Sequence, residues 1–261
     1  MQHYSRPVYL KIKELTMTYD LANKTVLVTG ANRGIGFGFV EALLARGIKR
    51  VYATTRDLSN SGELKALPDV VEVLQLDINS TESIDKLIAE IPELDVLINN
   101  AGVANISNFS SETSIAIATL EMQTNYFGTL QLTNKLLPAL RKSSAAAIIN
   151  VSSIAGISNF PLAGPYSASK AAVHSLTQGL RAELKSANIF VQGVYPGPTD
   201  TRMAEDVDMP KASIEQVANA VLNALVAGEE DVFPDEFSKA MYAIYSQSPK
   251  ALEKEFSLAV G

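Results

Sequence analysis

Cysteine is absent from the 261 residues, which excludes a disulfide scaffold, a thiol nucleophile and a cysteine-zinc site. Histidine is nearly absent too. His3 and His174 are far apart in sequence, so neither a His-rich metal site nor any other bound metal is expected. No Lys/Arg run occurs and the formal net charge is −6, which argues against nucleic acid or an acidic membrane as partner. No apolar run reaches membrane-spanning length, and Met1-Gln-His-Tyr-Ser-Arg-Pro lacks an apolar signal core, so the expected location is the cytoplasm.

Apolar residues make up 47% of the chain and charged residues 19%, the balance of a folded globular protein. Residues 1–20 are aperiodic and read as an N-terminal extension, with Met17 as an alternative start; 21–261 read as one domain. Short apolar runs predict strands at 24–29, 50–55, 70–76, 94–98, 145–151 and 189–195, with a short candidate at 231–233. Helical patterns fall between them, at 37–46, 79–90, 111–141, 165–186 and 213–227, and the tail from 234 to 256 is mostly helical. Strict alternation of short, doubly apolar strands with helices predicts an α/β fold: a doubly wound parallel sheet with helices on both faces.

Gly30, Gly34 and Gly36 lie between the first strand and the first helix. Glycine allows tight turning and close backbone approach to a ligand. A helix N-terminus behind it offers free N–H groups to a pyrophosphate. The spacing is G-x-x-x-G-x-G, so by spacing alone the loop is either a phosphate cradle or a turn. Tyr166 and Lys170 share one helix face, one turn apart. A lysine charge there favours the phenolate relative to a reference Tyr pKa of about 10, unless the pair is an ordinary surface spacing.

Taken together, the motifs resemble those of the classical short-chain dehydrogenases/reductases, over roughly residues 22–202. Thr29-Gly-Ala-Asn-Arg-Gly-Ile-Gly36 is similar to their T-G-x-x-x-G-I-G motif, Asn99-Asn-Ala-Gly102 to N-N-A-G, and Pro196-Gly-Pro-Thr-Asp-Thr201 to P-G-x-x-x-T. Asn125, Ser153, Tyr166 and Lys170 match their catalytic tetrad in order and spacing. The resemblance implies a Rossmann-like fold and hydride transfer between a nicotinamide and a carbonyl carbon. It implies Tyr166 as general acid/base, Lys170 as the group that acidifies it and holds the nicotinamide ribose, Ser153 as carbonyl donor, and Asn125 as holder of a relay water. Cofactor-contacting positions implied are Gly30, Asn32, Arg33, Gly34, Ile35, Gly36, Arg56, Asp77, Ile78, Asn100, Ala101, Gly102, Tyr166, Lys170, Pro196, Gly197, Thr199 and Thr201, with Asn99 bordering the cofactor.

An acid at the end of the second strand would bond an unphosphorylated ribose. Thr55 occupies that slot, Arg56 follows and Arg33 lies in the glycine loop, so the expected cofactor is NADP(H). Substrate-side residues are Ile154, Gly156, Phe160, Leu162, Met203 and Met209, which suit an apolar aldehyde or ketone as the partner small molecule. The alternatives are a 3-oxoacyl-carrier-protein reductase and a catalytically silent NADP(H)-binding regulator. The tail after Asp231 departs from the family's common ending and has an apolar side at Met241, Tyr242, Ile244 and Tyr245. It is expected to pack on its own domain, cover the site or meet another subunit. The long helices suit a homodimer or homotetramer.

Overall fold

The computed structural model describes residues 19–260; His3, Met17 and the extension up to residue 18 lie outside the described residues. Seven parallel strands form one sheet in the order β3-β2-β1-β4-β5-β6-β7. They are β1 Thr25–Val28, β2 Arg50–Thr55, β3 Val71–Gln75, β4 Val96–Asn99, β5 Ala146–Val151, β6 Ile189–Val194 and β7 Asp231–Val232. The chain winds outward from β1 to β3, then crosses back to lay β4 beside β1. That reversal opens a crevice at the carboxyl ends of β1 and β4, where such sheets bind ligands.

Strand alternation explains the two layers. Val26 and Val28 point to one face and pack with Phe39, Val40 and Leu43 of α1 (Gly34–Leu44) and Val221, Leu222 and Leu225 of α6 (Ile214–Ala227). Leu27 points to the other and packs with α2 (Thr81–Glu90), α4 (Thr129–Leu140) and α5 (Gly164–Leu184) through Ile84, Leu132 and Leu180. Burying both faces is why these strands carry few polar residues. Tyr19 belongs to this body: its hydroxyl donates to the Ala145 carbonyl at 2.7 Å and its ring is in the core. No described helix is long and apolar enough to cross a membrane.

Three elements differ from their sequence patterns. The first helix starts at Gly34 instead of residue 37, bringing Gly36 into its first turn. The stretch expected as one helix over 111–141 is α3 (Ser114–Glu121), a π-helical turn (Met122–Gly128) and α4. The wide turn lies where the Asn125 amide engages Val103 and where Gly128 presses on Ile78; a Cβ on Gly128 would come within 2.9 Å of Ile78. π-turns of this kind concentrate at functional sites. The tail is two helices, α7 (Glu236–Gln247) and α8 (Pro249–Ser257), split where Pro249 cannot continue the first.

The tail packs on its own domain. Phe237, Met241, Ile244, Tyr245, Leu252 and Phe256 cover Ile154, Ile157 and Phe160 just after β5, with the Phe160 and Phe256 rings edge to face at 5.6 Å. Asp235 anchors it. The buried carboxylate accepts from the Ser238 N–H (2.8 Å), the Ser238 hydroxyl (2.9 Å) and the Gly197 N–H (2.8 Å). Asp235→Ala removes a helix cap together with charged hydrogen bonds. A loss of about 3 kcal/mol, roughly 10 °C in melting temperature, is expected by calorimetry. An unchanged melting temperature would show that α7 needs no such anchor.

Candidate functional site

The carboxyl ends of β1, β4, β5 and β6 converge on one crevice. The glycine loop between β1 and α1 is locked from beneath. The Thr29 hydroxyl accepts the N–H groups of Asn100 and Ala101, both at 2.9 Å, and the Asn100 amide donates to the carbonyls of Thr29 (2.8 Å) and Gly30 (3.1 Å). Gly30 and Gly34 hold φ of 62° and 56°, in the region that favours glycine. Ala101 backs directly onto Gly30, and Thr201 sits against Gly34. Asn100 therefore supports the loop, its side chain spent on backbone. Asn32 likewise donates to the Asn60 carbonyl at 3.0 Å, and Ile35 packs on the core.

Three exposed guanidinium groups gather beside this loop. Arg33 is pushed below its ordinary pKa by partial burial and by repulsion from Arg202 and Arg56. None of the three is within ion-pair distance of a carboxylate among the described residues. Arg202 escaped the motif reading because it follows Thr201, outside the matched segment. Thr55 is buried and neutral, its hydroxyl donating to the Asp57 carbonyl at 3.1 Å. Asp77 accepts the Asn79 N–H at 3.0 Å through one oxygen, and Ile78 is buried against Gly128.

Asn99 is turned from the crevice. Its amide donates to Thr133 (3.0 Å) and Asn150 (2.8 Å) inside the core, so its side chain ties the end of β4 to β5 and α4. Asn125 is also spent. Its side chain accepts from the Val103 N–H (2.8 Å) and donates to the Val103 carbonyl (2.9 Å) and the Ser169 hydroxyl (2.8 Å). Both its polar atoms are thus engaged by protein, and it braces the loop after β4 against α5.

Ser153 lies two residues past β5, with its hydroxyl beside Tyr166 at the start of α5. Its hydroxyl accepts the Ala155 N–H at 3.2 Å and donates to the Pro196 carbonyl at 3.4 Å. Lys170 is buried; its Nζ donates to the Val151 carbonyl at 2.9 Å and stands 5.7 Å from the Tyr166 ring centre. A Cβ on Gly102 would lie 3.5 Å from that Nζ, so the backbone after β4 closes over the lysine. Gly197 is fixed by Asp235, the Thr199 hydroxyl donates to the Gly197 carbonyl at 3.3 Å, and Thr199 pairs with Ala212.

The charge states differ from the sequence expectation. Burial pushes the Tyr166 phenol up to about 12; the neighbouring Ser153 hydroxyl opposes this and the Glu121 charge adds to it. Burial pulls Lys170 down to about 8, partly offset by Glu121. In the protein alone, desolvation sets the direction and the field of the buried Glu121 carboxylate adds to it, so the phenol rises where the sequence led one to expect acidification by Lys170. At neutral pH Tyr166 is a protonated donor.

The model of the short chain dehydrogenase family matches residues 24–212. An uncharacterized oxidoreductase of Staphylococcus saprophyticus is 35% identical over 218 residues, 79% of this chain and 92% of that protein. Retinol dehydrogenase 8 of Bos taurus is 31% identical over 252 residues, 92% of this chain and 78% of that protein. Among solved structures, a short chain dehydrogenase of Burkholderia cenocepacia in complex with NADP superposes with a TM-score of 0.86 at 34% identity, covering 91% of this chain and 99% of that one.

Proposed function

This chain belongs to the short-chain dehydrogenase family, and from that premise we propose that it is an NADPH-dependent reductase of apolar aldehydes and ketones. When bound, the cofactor supplies the hydride that the carbonyl carbon accepts. The residues fit the cofactor on two observations. A Cβ on Gly36 would fall 2.2 Å from the Gly30 carbonyl oxygen, so the loop has the bare backbone a pyrophosphate cradle needs. Arg33, Arg56 and Arg202 carry charge without carboxylate partners among the described residues, as a 2′-phosphate requires. The NADP bound to the Burkholderia cenocepacia relative agrees with this choice.

The observation that carries the reaction type is Tyr166, protonated at neutral pH, beside Ser153 and Lys170 at the mouth of the crevice. Ser153 orients the carbonyl oxygen as a preorganised donor and Tyr166 delivers its proton. Lys170 contributes positive charge beside Tyr166 and would hold the cofactor ribose. Asn125 keeps the loop over Lys170 in place. An apolar substrate is supported by the exposed side chains of Ile106, Phe109 and Leu162. Their two loops are joined by the Ser107–Ala163 pairing at the start of α5. The tail supplies a second apolar wall over Phe160. The likeness to a retinol dehydrogenase points the same way.

Oxidation of NADPH and NADH against apolar aldehydes, ketones and acyl thioesters tests the reading. Turnover of apolar carbonyls with NADPH is expected; tight NADPH binding with no turnover of any carbonyl would overturn it. Replacing Arg33 and Arg56 by Ala is expected to raise KM for NADPH about 10–100-fold per arginine, at ~1.5–3 kcal/mol per charged hydrogen bond, with NADH kinetics little changed. Equal losses for both cofactors would remove the 2′-phosphate assignment.

A further inference from the structure

Glu121 is completely buried at the end of α3. One carboxylate oxygen accepts the Asn105 N–H at 2.7 Å and the Asn105 side-chain amide at 3.2 Å; the other meets no protein donor among the described residues. A buried carboxylate with a bare oxygen is costly unless a charge faces it. It lies four residues before Asn125, on the same side of the helix. The loop after β4 runs along that side. Gly102 meets Lys170 and Asn125, Val103 is bound to Asn125, and Asn105 is bound to Glu121. One short loop thus has the Lys170 ammonium at one end and the Glu121 carboxylate at the other, and α3 packs on α5.

We propose that Glu121 is a positioning residue of the Tyr166–Lys170 centre, a buried carboxylate whose charge keeps Lys170 in its ammonium form. The proposal rests on the reading of Tyr166 and Lys170 given above. Among the described residues, the ionisable groups whose fields reach Glu121 are Lys170 and Tyr166 of α5, with Lys170 outside ion-pair distance; the loop brings the neutral Asn105. Burial pushes the Glu121 carboxyl up, and its bonds to Asn105 and the charge of Lys170 pull it back. Glu121 in turn raises Lys170 against burial and raises Tyr166. Removing the carboxylate lowers the titration of both. Lys170, already drawn down to about 8, would then be substantially neutral at working pH.

The direct test is NMR of the full-length, cofactor-free protein with 13C at lysine Cε, the Lys170 signal being identified by its loss in Lys170→Arg. In Glu121→Gln the Lys170 midpoint is expected to fall by about one pH unit, with the same fall in Glu121→Met and a value nearer wild type in the charge-keeping Glu121→Asp. An unmoved midpoint in either folded neutral variant overturns the proposal and leaves Glu121 as a brace for Asn105. Should neither neutral variant fold, glutamate-labelled unmodified protein decides. One carboxyl carbon must shift a second time as Lys170 loses its proton, and its absence overturns the proposal. No substrate enters these measurements, so failure here is distinct from failure of the reductase reading, which the carbonyl panel tests.

Discussion

Tyr166→Phe is expected to lower kcat for carbonyl reduction by about 10²–10⁴-fold, the range for removing a general acid, with NADPH affinity and melting temperature nearly unchanged. The phenylalanine ring fills the same half-buried position at the start of α5, and the hydroxyl neighbour that the phenol loses is Ser153. What is lost is the proton. With the phenol drawn up to about 12 by burial, the residue is protonated throughout the neutral range and needs no activation to donate. The reverse direction is different. Alcohol oxidation needs the phenolate, which the unliganded site disfavours, so at pH 7 reduction is expected to be the faster direction in the isolated enzyme. Steady-state kinetics in both directions check this. A variant that keeps more than a tenth of wild-type turnover would mean that another group supplies the proton.

Gly36→Ala is the second large effect. An added Cβ would fall 2.2 Å from the Gly30 carbonyl oxygen and 2.5 Å from the Asn100 amide nitrogen. Neither neighbour can move freely. The Gly30 carbonyl is held by that same amide at 3.1 Å, and Asn100 ties the end of β4 to the end of β1. The clash must therefore open the joint between the two central strands. Overpacking of this kind costs about 1–3 kcal/mol or more, and the cradle loses its shape. Loss of measurable NADPH binding and a lower melting temperature are expected together. Gly47→Asn is the control. Nothing lies within 4 Å of that position, its φ of 68° is one Asn tolerates, and binding should be unaffected. NADPH titration by fluorescence separates the two variants, and equal affinity of Gly36→Ala with wild type would show that the loop is not the cradle.

The parts of the site that were legible in the sequence are those in which residue type and local spacing carry the chemistry. Gly30, Gly34 and Gly36 announce bare backbone, and Tyr166 with Lys170 announces one helix face. The side-chain commitments were not legible. Asn99 and Asn125 occupy positions expected near cofactor and relay water, yet their amides are spent on Thr133, Asn150, Val103 and Ser169. Asp235 and Ser238 form a legible helix cap, but nothing local says that the same carboxylate holds Gly197. Glu121 looks like an ordinary helix charge until α5 buries it.

By itself the sequence determined the order of strands and helices, the doubly wound parallel architecture, the family, and the place along the chain of the glycine loop and of Ser153, Tyr166 and Lys170. These follow from period, apolar content and motif spacing, all of which are local. Only the tertiary structure decided that the tail packs on the segment after β5, that Arg202 joins Arg33 and Arg56, and that Tyr166 sits above its ordinary pKa. Each of these depends on which distant groups share a buried volume, because desolvation and charge act through space and not along the chain.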